Sequence, residues 1–155
     1  MSENNFRDVG TFHHKFGLDH VDCDELCDLR NGSRFTAGDR HFKLDPRVNP
    51  LMQFRLKFLE EELKETIQGA AEEDHVKVFD GLLDLVYVAL GTAHLLGYPW
   101  QEGWDEVQRA NMTKERAASE ADSRSTRKHS LDVVKPEGWR PPNIAGILRR
   151  FGWDV

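Results

Sequence analysis

The stretch HVKVFDGLLDLVYVALGTAHLL, residues 75–96, decides the fold. Its apolar residues fall on nearly every side of a helix. Val78, Leu82, Val86, Ala89 and Ala93 lie opposite Asp80 and Asp84, while Phe79, Leu83 and Leu90 cover one flank and Leu85 the other. A helix apolar all round belongs in a protein core or in a bilayer. Residues 81–100 imitate a membrane span, but Asp84 sits inside the apolar run and Asp80 just before it. A carboxylate at mid-bilayer costs roughly 2.5–3.5 kcal/mol on insertion scales. The expectation is therefore the buried helix of a soluble protein, from about Asp74 to Leu96, stopped by Gly97-Tyr98-Pro99.

The neighbouring segments read as further helices. Asn49-Pro50 supplies a cap and a first-turn proline for a helix running to about Ala71. Another begins near Pro99 and runs to about Arg116. Val9, Phe12 and Phe16 have helical spacing in a first helix over about Glu3 to Phe16, and a short last helix follows Pro141-Pro142 and ends near Gly152. Residues 17–48 look irregular, with Asn31-Gly32, Gly38 and Pro46 as breakers. The polar run 117–129 reads as a flexible loop. No alternating strand pattern exceeds a few residues, so the class is all-α. The expected architecture is a four-to-five-helix bundle in one domain, residues 1–155, with a C-terminal loop and short helix from about 117. With 21 Lys and Arg against 27 Asp and Glu, the net charge of −6 argues against a nucleic-acid polymer as partner. Two cysteines make no disulfide framework, and the start MSENNFRDVG shows no signal peptide, so the expected location is the cytoplasm.

The chemistry lies in carboxylates on two successive helices. On the wheel of residues 50–71, Met52, Leu56, Leu59, Leu63, Ile67 and Ala70 form one stripe, and Glu60 with Lys64 belongs to a solvent face. Leu51, Phe54 and Phe58 share a third arc with Glu62 and Glu65, and Glu61 sits at its edge. Asp80 and Asp84 lie one turn apart on the next helix. A buried carboxylate must be paired, protonated or metal-bound, and Lys77 is placed to bridge Asp80 but reaches Asp84 poorly. Set side by side, the two helices bring up to five carboxylates together, which repel unless cations intervene. All-oxygen ligation selects Mg²⁺ or Mn²⁺, and Mg²⁺ shares its shell with substrate phosphates. The expected ligand is a polyphosphate bridged to the protein by metal.

Glu61-Glu62-Leu63-Lys64-Glu65 fits EExxE, and residues 80–84 fall where a second motif, ExxD, would stand, with Asp84 as its aspartate. Gly81 occupies the Glu position and Asp80 is the neighbouring carboxylate. The chain resembles the all-α nucleoside triphosphate pyrophosphohydrolases, the superfamily of MazG, the dimeric dUTPases and the phosphoribosyl-ATP pyrophosphohydrolases. Phe12-His13 with Phe16-Gly17, then DGLLDLVYVALGTAHLLG, EVQRANMTK and VVKPEGWRPPNI are similar to the phosphoribosyl-ATP pyrophosphohydrolase-like branch, often phage-encoded. The resemblance implies hydrolysis of a nucleoside triphosphate to the monophosphate and pyrophosphate, by a homodimer or homotetramer with its site near a subunit interface. It implies Mg²⁺ or Mn²⁺ between the motifs, with Glu62, Glu65 and Asp84 as ligands and Glu61 and Asp80 beside them. Glu61 or Glu62 is alternatively the general base.

Outer phosphates need cations, and Arg109, Asn111, Lys114 and Lys135 are the candidates, with Arg127 and Lys128 on a loop placed to close as a lid. His13 is a candidate for the base or sugar. The phage-like character favours dGTP or dUTP, with phosphoribosyl-ATP as the alternative. Three competing readings remain. His14, His20, Cys23 and Cys27 are candidate zinc ligands at an uncommon spacing. Glu72-Glu73-Asp74-His75 is one of the two Glu-x-x-His motifs a di-iron bundle requires. A non-enzymatic helical adaptor explains the apolar stripes but not Asp80 and Asp84.

Overall fold

The computed structural model describes residues 4–18, 44–129 and 131–155. The chain forms two compact units, Met1–Tyr98 and Pro99–Val155. His20, Cys23 and Cys27 lie outside the described residues, so the zinc reading is untouched.

The first unit holds α1 (Asn5–Lys15), α2 (Pro50–Ala71) and α3 (His75–Leu95). Each begins at a side-chain cap. Asn4 Oδ1 accepts from Arg7 N at 3.1 Å, Asn49 Oδ1 from Met52 N at 3.0 Å, and Asp74 Oδ1 from Val76 N at 2.9 Å and Lys77 N at 3.1 Å. These bonds satisfy amides that have no intrahelical acceptor. α2 and α3 are joined by Glu72, Glu73 and Asp74, with Glu73 in the left-handed region at φ 55°. So short a turn returns the chain on itself, and α2 packs along α3 more extensively than any other pair of elements. It also separates Glu72 and Glu73 from His75, which breaks the Glu-x-x-His motif across two helices. α1 lies on α3, where Val9, Val88, Leu90, Ala93 and Leu96 are buried.

The apolar stripes do not face inward as expected. The buried residues of α2 are Arg55, Glu62 and Gly69, while Leu56, Leu63 and Ile67 are exposed, Ile67 at 60%. On α3, which the sequence suggested would be buried all round, Val76, Phe79, Leu82, Leu83 and Val86 are exposed, Phe79 at 65%. α3 is also long and apolar enough to cross a membrane by length and composition. The cause is the contact itself: the helices meet through small and polar side chains, leaving the large apolar ones outside.

The second unit holds α4 (Trp100–Met112), β1 (Glu115–Arg116), β2 (Val133–Val134) and α5 (Ile144–Arg150). α4 stops at Met112, four residues before the expected end, because Glu115 and Arg116 pair antiparallel with Val134 and Val133. The 117–129 segment, expected to be a flexible loop, is tied down. Ala117 N donates to Asp132 O at 2.9 Å, and Asp122 accepts from Ala118 N, Arg124 N and the Arg124 guanidinium. Asp132 has its side chain 2% exposed and accepts from Ser125 Oγ at 2.7 Å and Arg127 Nη1 at 2.6 Å.

The Ser125 hydroxyl, and then the Arg127 guanidinium, hold the Asp132 carboxyl at about 2, below its ordinary 3.8. A carboxyl lowered in the folded state stabilises above its unfolded pKa and loses that contribution as pH falls through the folded value. Thermal melts between pH 5 and pH 2 are expected to lose stability across the interval from 3.8 to about 2. Asp132→Asn removes part of that loss and lowers the melting temperature at pH 7. An unchanged pH profile in the variant contradicts the assignment.

Candidate functional site

The register of the α2–α3 hairpin positions the site. A Cβ on Gly69 would meet the Lys77 Cβ at 2.7 Å, and one on Gly81 would meet Thr66 Oγ1 at 2.4 Å. Further along, Arg55 bonds Val88 and Thr92. Between those levels Glu62 faces the turn of α3 that carries Asp80 and Asp84.

Glu62 is the buried member of the acidic run, at 8% exposure. Burial pushes its carboxyl above the ordinary value, and the charges of Asp84, Glu65, Glu61 and Asp80, in that order, push it further. The other four acidic residues singled out by sequence therefore all act on Glu62. No described cation relieves them: Lys77 pairs with Glu72 rather than Asp80, and Lys64 pairs with Glu60 at 2.8 Å as the wheel suggested. Glu61, Glu65, Asp80 and Asp84 are exposed.

Such a donor set, all carboxylate oxygen with a mutually repelling charge, fits a hard divalent cation. Among the described residues no three of these groups close around a single point, so the arrangement is a rough cluster rather than a formed ion cage. Glu62, Glu65 and Asp84 are the groups that would hold the ion, with Glu61 and Asp80 at its margin.

Residues 44–111 match the family model described as phosphoribosyl-ATP pyrophosphohydrolase. That segment is of the all-α nucleoside triphosphate pyrophosphohydrolase superfamily. It spans α2, α3 and nearly all of α4, so it includes EExxE and the Asp80–Asp84 turn. The match supports nucleotide pyrophosphohydrolase activity for the chain, and the helical architecture agrees with it. No curated protein matches the chain.

His13 is buried on α1 with its ring 5.1 Å from that of His94. Arg109, Asn111, Lys114 and Lys135 belong to the second unit. Arg109 forks onto Glu106, which also accepts from Asn143 N, and these bonds hold the Glu106 carboxyl down at about 2. Lys114 and Lys135, from different segments, both approach the Trp139 ring, at 5.6 and 4.6 Å from its centroid. The indole N–H is bonded to Ala110 O at 2.9 Å, so Trp139 packs against α4. Arg127 is held by Asp132, and Lys128 Nζ donates to Asp122 O at 3.0 Å. Both are bonded within their own loop, although the Arg127 side chain is largely exposed.

Sequence reasoning missed Arg55 as a buried charge. Its signal is the recurrence of Arg55, Glu62 and Gly69 every seven residues, which the apolar stripe of the same helix masks.

Gly81 explains the departure from ExxD. At that position a side chain would strike Thr66, whose hydroxyl is itself bonded to Glu62 O at 2.8 Å. Gly81→Ala is expected to cost about 1–3 kcal/mol of stability through overpacking. The close backbone on the Thr66 side places it in the upper half of that range, above the roughly 1 kcal/mol that alanine gains in helix propensity. Gly81→Glu, which restores the motif, destabilises further. Chemical denaturation checks both, and a more stable Gly81→Ala protein contradicts the register.

Proposed function

We propose that this chain hydrolyses a deoxynucleoside triphosphate, dGTP or dUTP, to the monophosphate and pyrophosphate, with Mg²⁺ or Mn²⁺. The observation that carries the reading is Glu62, buried and pressed by four other carboxylates with no described cation in reach. A bound divalent ion supplies neutralisation of the triphosphate and activation of a water. Glu62, Glu65 and Asp84 bind it, with Glu61 and Asp80 adding negative charge at the edge. Glu61 or Glu62 takes the proton from the water that attacks the α-phosphorus, and the bond to the pyrophosphate oxygen breaks. The second reading is hydrolysis of phosphoribosyl-ATP, favoured by the description of the matching family.

The partner is a second copy of the chain. Val76, Phe79, Leu83 and Val86 on α3, with Leu63 and Ile67 on α2, expose apolar surface of the kind oligomer interfaces bury. Asp80 and Asp84 on the same helix argue for a protein partner over lipid. The cytoplasm supplies both nucleotides and magnesium.

Pyrophosphate release from the four dNTPs, dUTP and phosphoribosyl-ATP, with Mg²⁺ or Mn²⁺ and with chelator, tests the reading. Glu65→Ala and Asp84→Ala are expected to lower kcat/KM by 100-fold or more, on the order of 3 kcal/mol of transition-state stabilisation. Unaltered turnover in both variants sinks the site. Phe79→Glu with Val86→Glu is expected to convert the oligomer to a monomer by light scattering, and a wild-type monomer contradicts the assembly.

A further inference from the structure

The second unit brings together two ammonium groups that its own fold leaves without a counter-charge. β1 and β2 pair antiparallel, with Glu115 opposite Val134 and Arg116 opposite Val133. One position further along that register, Lys114 stands opposite Lys135. Both side chains lean on one ring: Lys114 Nζ is 5.6 Å and Lys135 Nζ 4.6 Å from the Trp139 centroid. The indole is fixed by its N–H, which donates to Ala110 O near the end of α4 at 2.9 Å, and Lys114 N donates to Asn111 O at 3.0 Å. Lys114 and Trp139 are half-buried, and Lys135 is exposed.

Like charges set opposite each other weaken an antiparallel pair, and a ladder of two residues has little stability of its own. Carboxylates of the unit are committed elsewhere: Glu115 and Asp122 to Arg124, Asp132 to Arg127, and Glu106 to Arg109. Among the described residues neither lysine forms an ion pair. The Trp139 ring attracts both ammonium groups through its quadrupole, but it is neutral, so the doubled positive charge persists beside it. A surface lysine is free to carry its charge out into water; these two come from distant segments and converge. An ammonium is a compact charge with three rotatable donors and binds phosphate oxygens as a point charge, whereas a lone carboxylate is better matched by an arginine fork. Two such charges side by side suit an anion that carries charge on successive groups.

We propose that Lys114 and Lys135 form an anion site over Trp139 that takes a phosphate chain, pyrophosphate being the smallest with one charged group for each lysine. The site lies within the second unit and depends on neither the carboxylate cluster nor a metal. Two sources share this chemistry, the phosphate chain of a nucleotide and free pyrophosphate.

The test titrates pyrophosphate into the full chain in the presence of chelator, at constant ionic strength. It follows the indole N–H resonances, with that of Trp139 assigned through Trp139→Phe. A saturable shift of the Trp139 signal is expected, with affinity about tenfold weaker or more in Lys114→Gln and in Lys135→Gln, as for loss of one charge-assisted hydrogen bond. Lys135→Arg is expected to keep most of the affinity. Pyrophosphate raises the melting temperature of the wild type but not of Lys135→Gln, which without anion melts no lower than the wild type because a repulsion has gone. An unresponsive Trp139 signal, or equal affinity in the glutamine variants, overturns the site. A Lys135→Gln protein that melts lower without anion and binds pyrophosphate as the wild type does assigns the lysine to packing alone. None of these readings needs turnover, so they stand apart from the proposed activity. Where a nucleotide is hydrolysed, Lys135→Gln raises KM if the chain bound is the substrate's own, and weakens only inhibition by pyrophosphate if it is the free anion.

Discussion

The close approach of α2 and α3 is the constraint on which the rest depends. Gly69 and Gly81 let the two backbones come nearer than ordinary side chains would permit. That contact sets which turns lie level, and it lays the EExxE segment against Asp80 and Asp84. The contact carries a cost, because Glu62 loses water among like charges. Three helix caps and the small core under α1 offset part of this cost. A site that strains the fold which holds it is common where charge must be poised for a ligand.

The same contact accounts for the apolar surface. A helix pair normally turns its largest apolar stripe inward and its charges outward. Here the inward line of α2 is Arg55, Glu62 and Gly69, so the Leu and Ile stripe faces out. The inward line thus carries polar and small residues where a helix pair would ordinarily keep its core.

Helix existence was legible because periodicity, Asn49-Pro50 and Gly97-Tyr98-Pro99 are local signals, and the observed ends of α2 and α3 agree with them. The strand at Glu115–Arg116 was not, since a two-residue ladder depends on Val133 and Val134, distant in the chain. The order in the 117–129 loop was hidden for the same reason: it rests on Asp122 and Asp132, and polar composition alone reads as loose. For the carboxylates, spacing put them on two faces, but which face each helix turns to the other is a packing outcome. The apolar stripe suggested one answer, and the glycines imposed another.

The turn at Glu72–Asp74 has a kinetic consequence. It joins two helices by three residues, so their mutual contacts close small loops, whereas α1 reaches α3 only across a much longer connection. Loop closure of short span is entropically cheap and fast. The hairpin should therefore nucleate before α1 docks, and the acidic pair of turns comes into being at the start of folding rather than at its end.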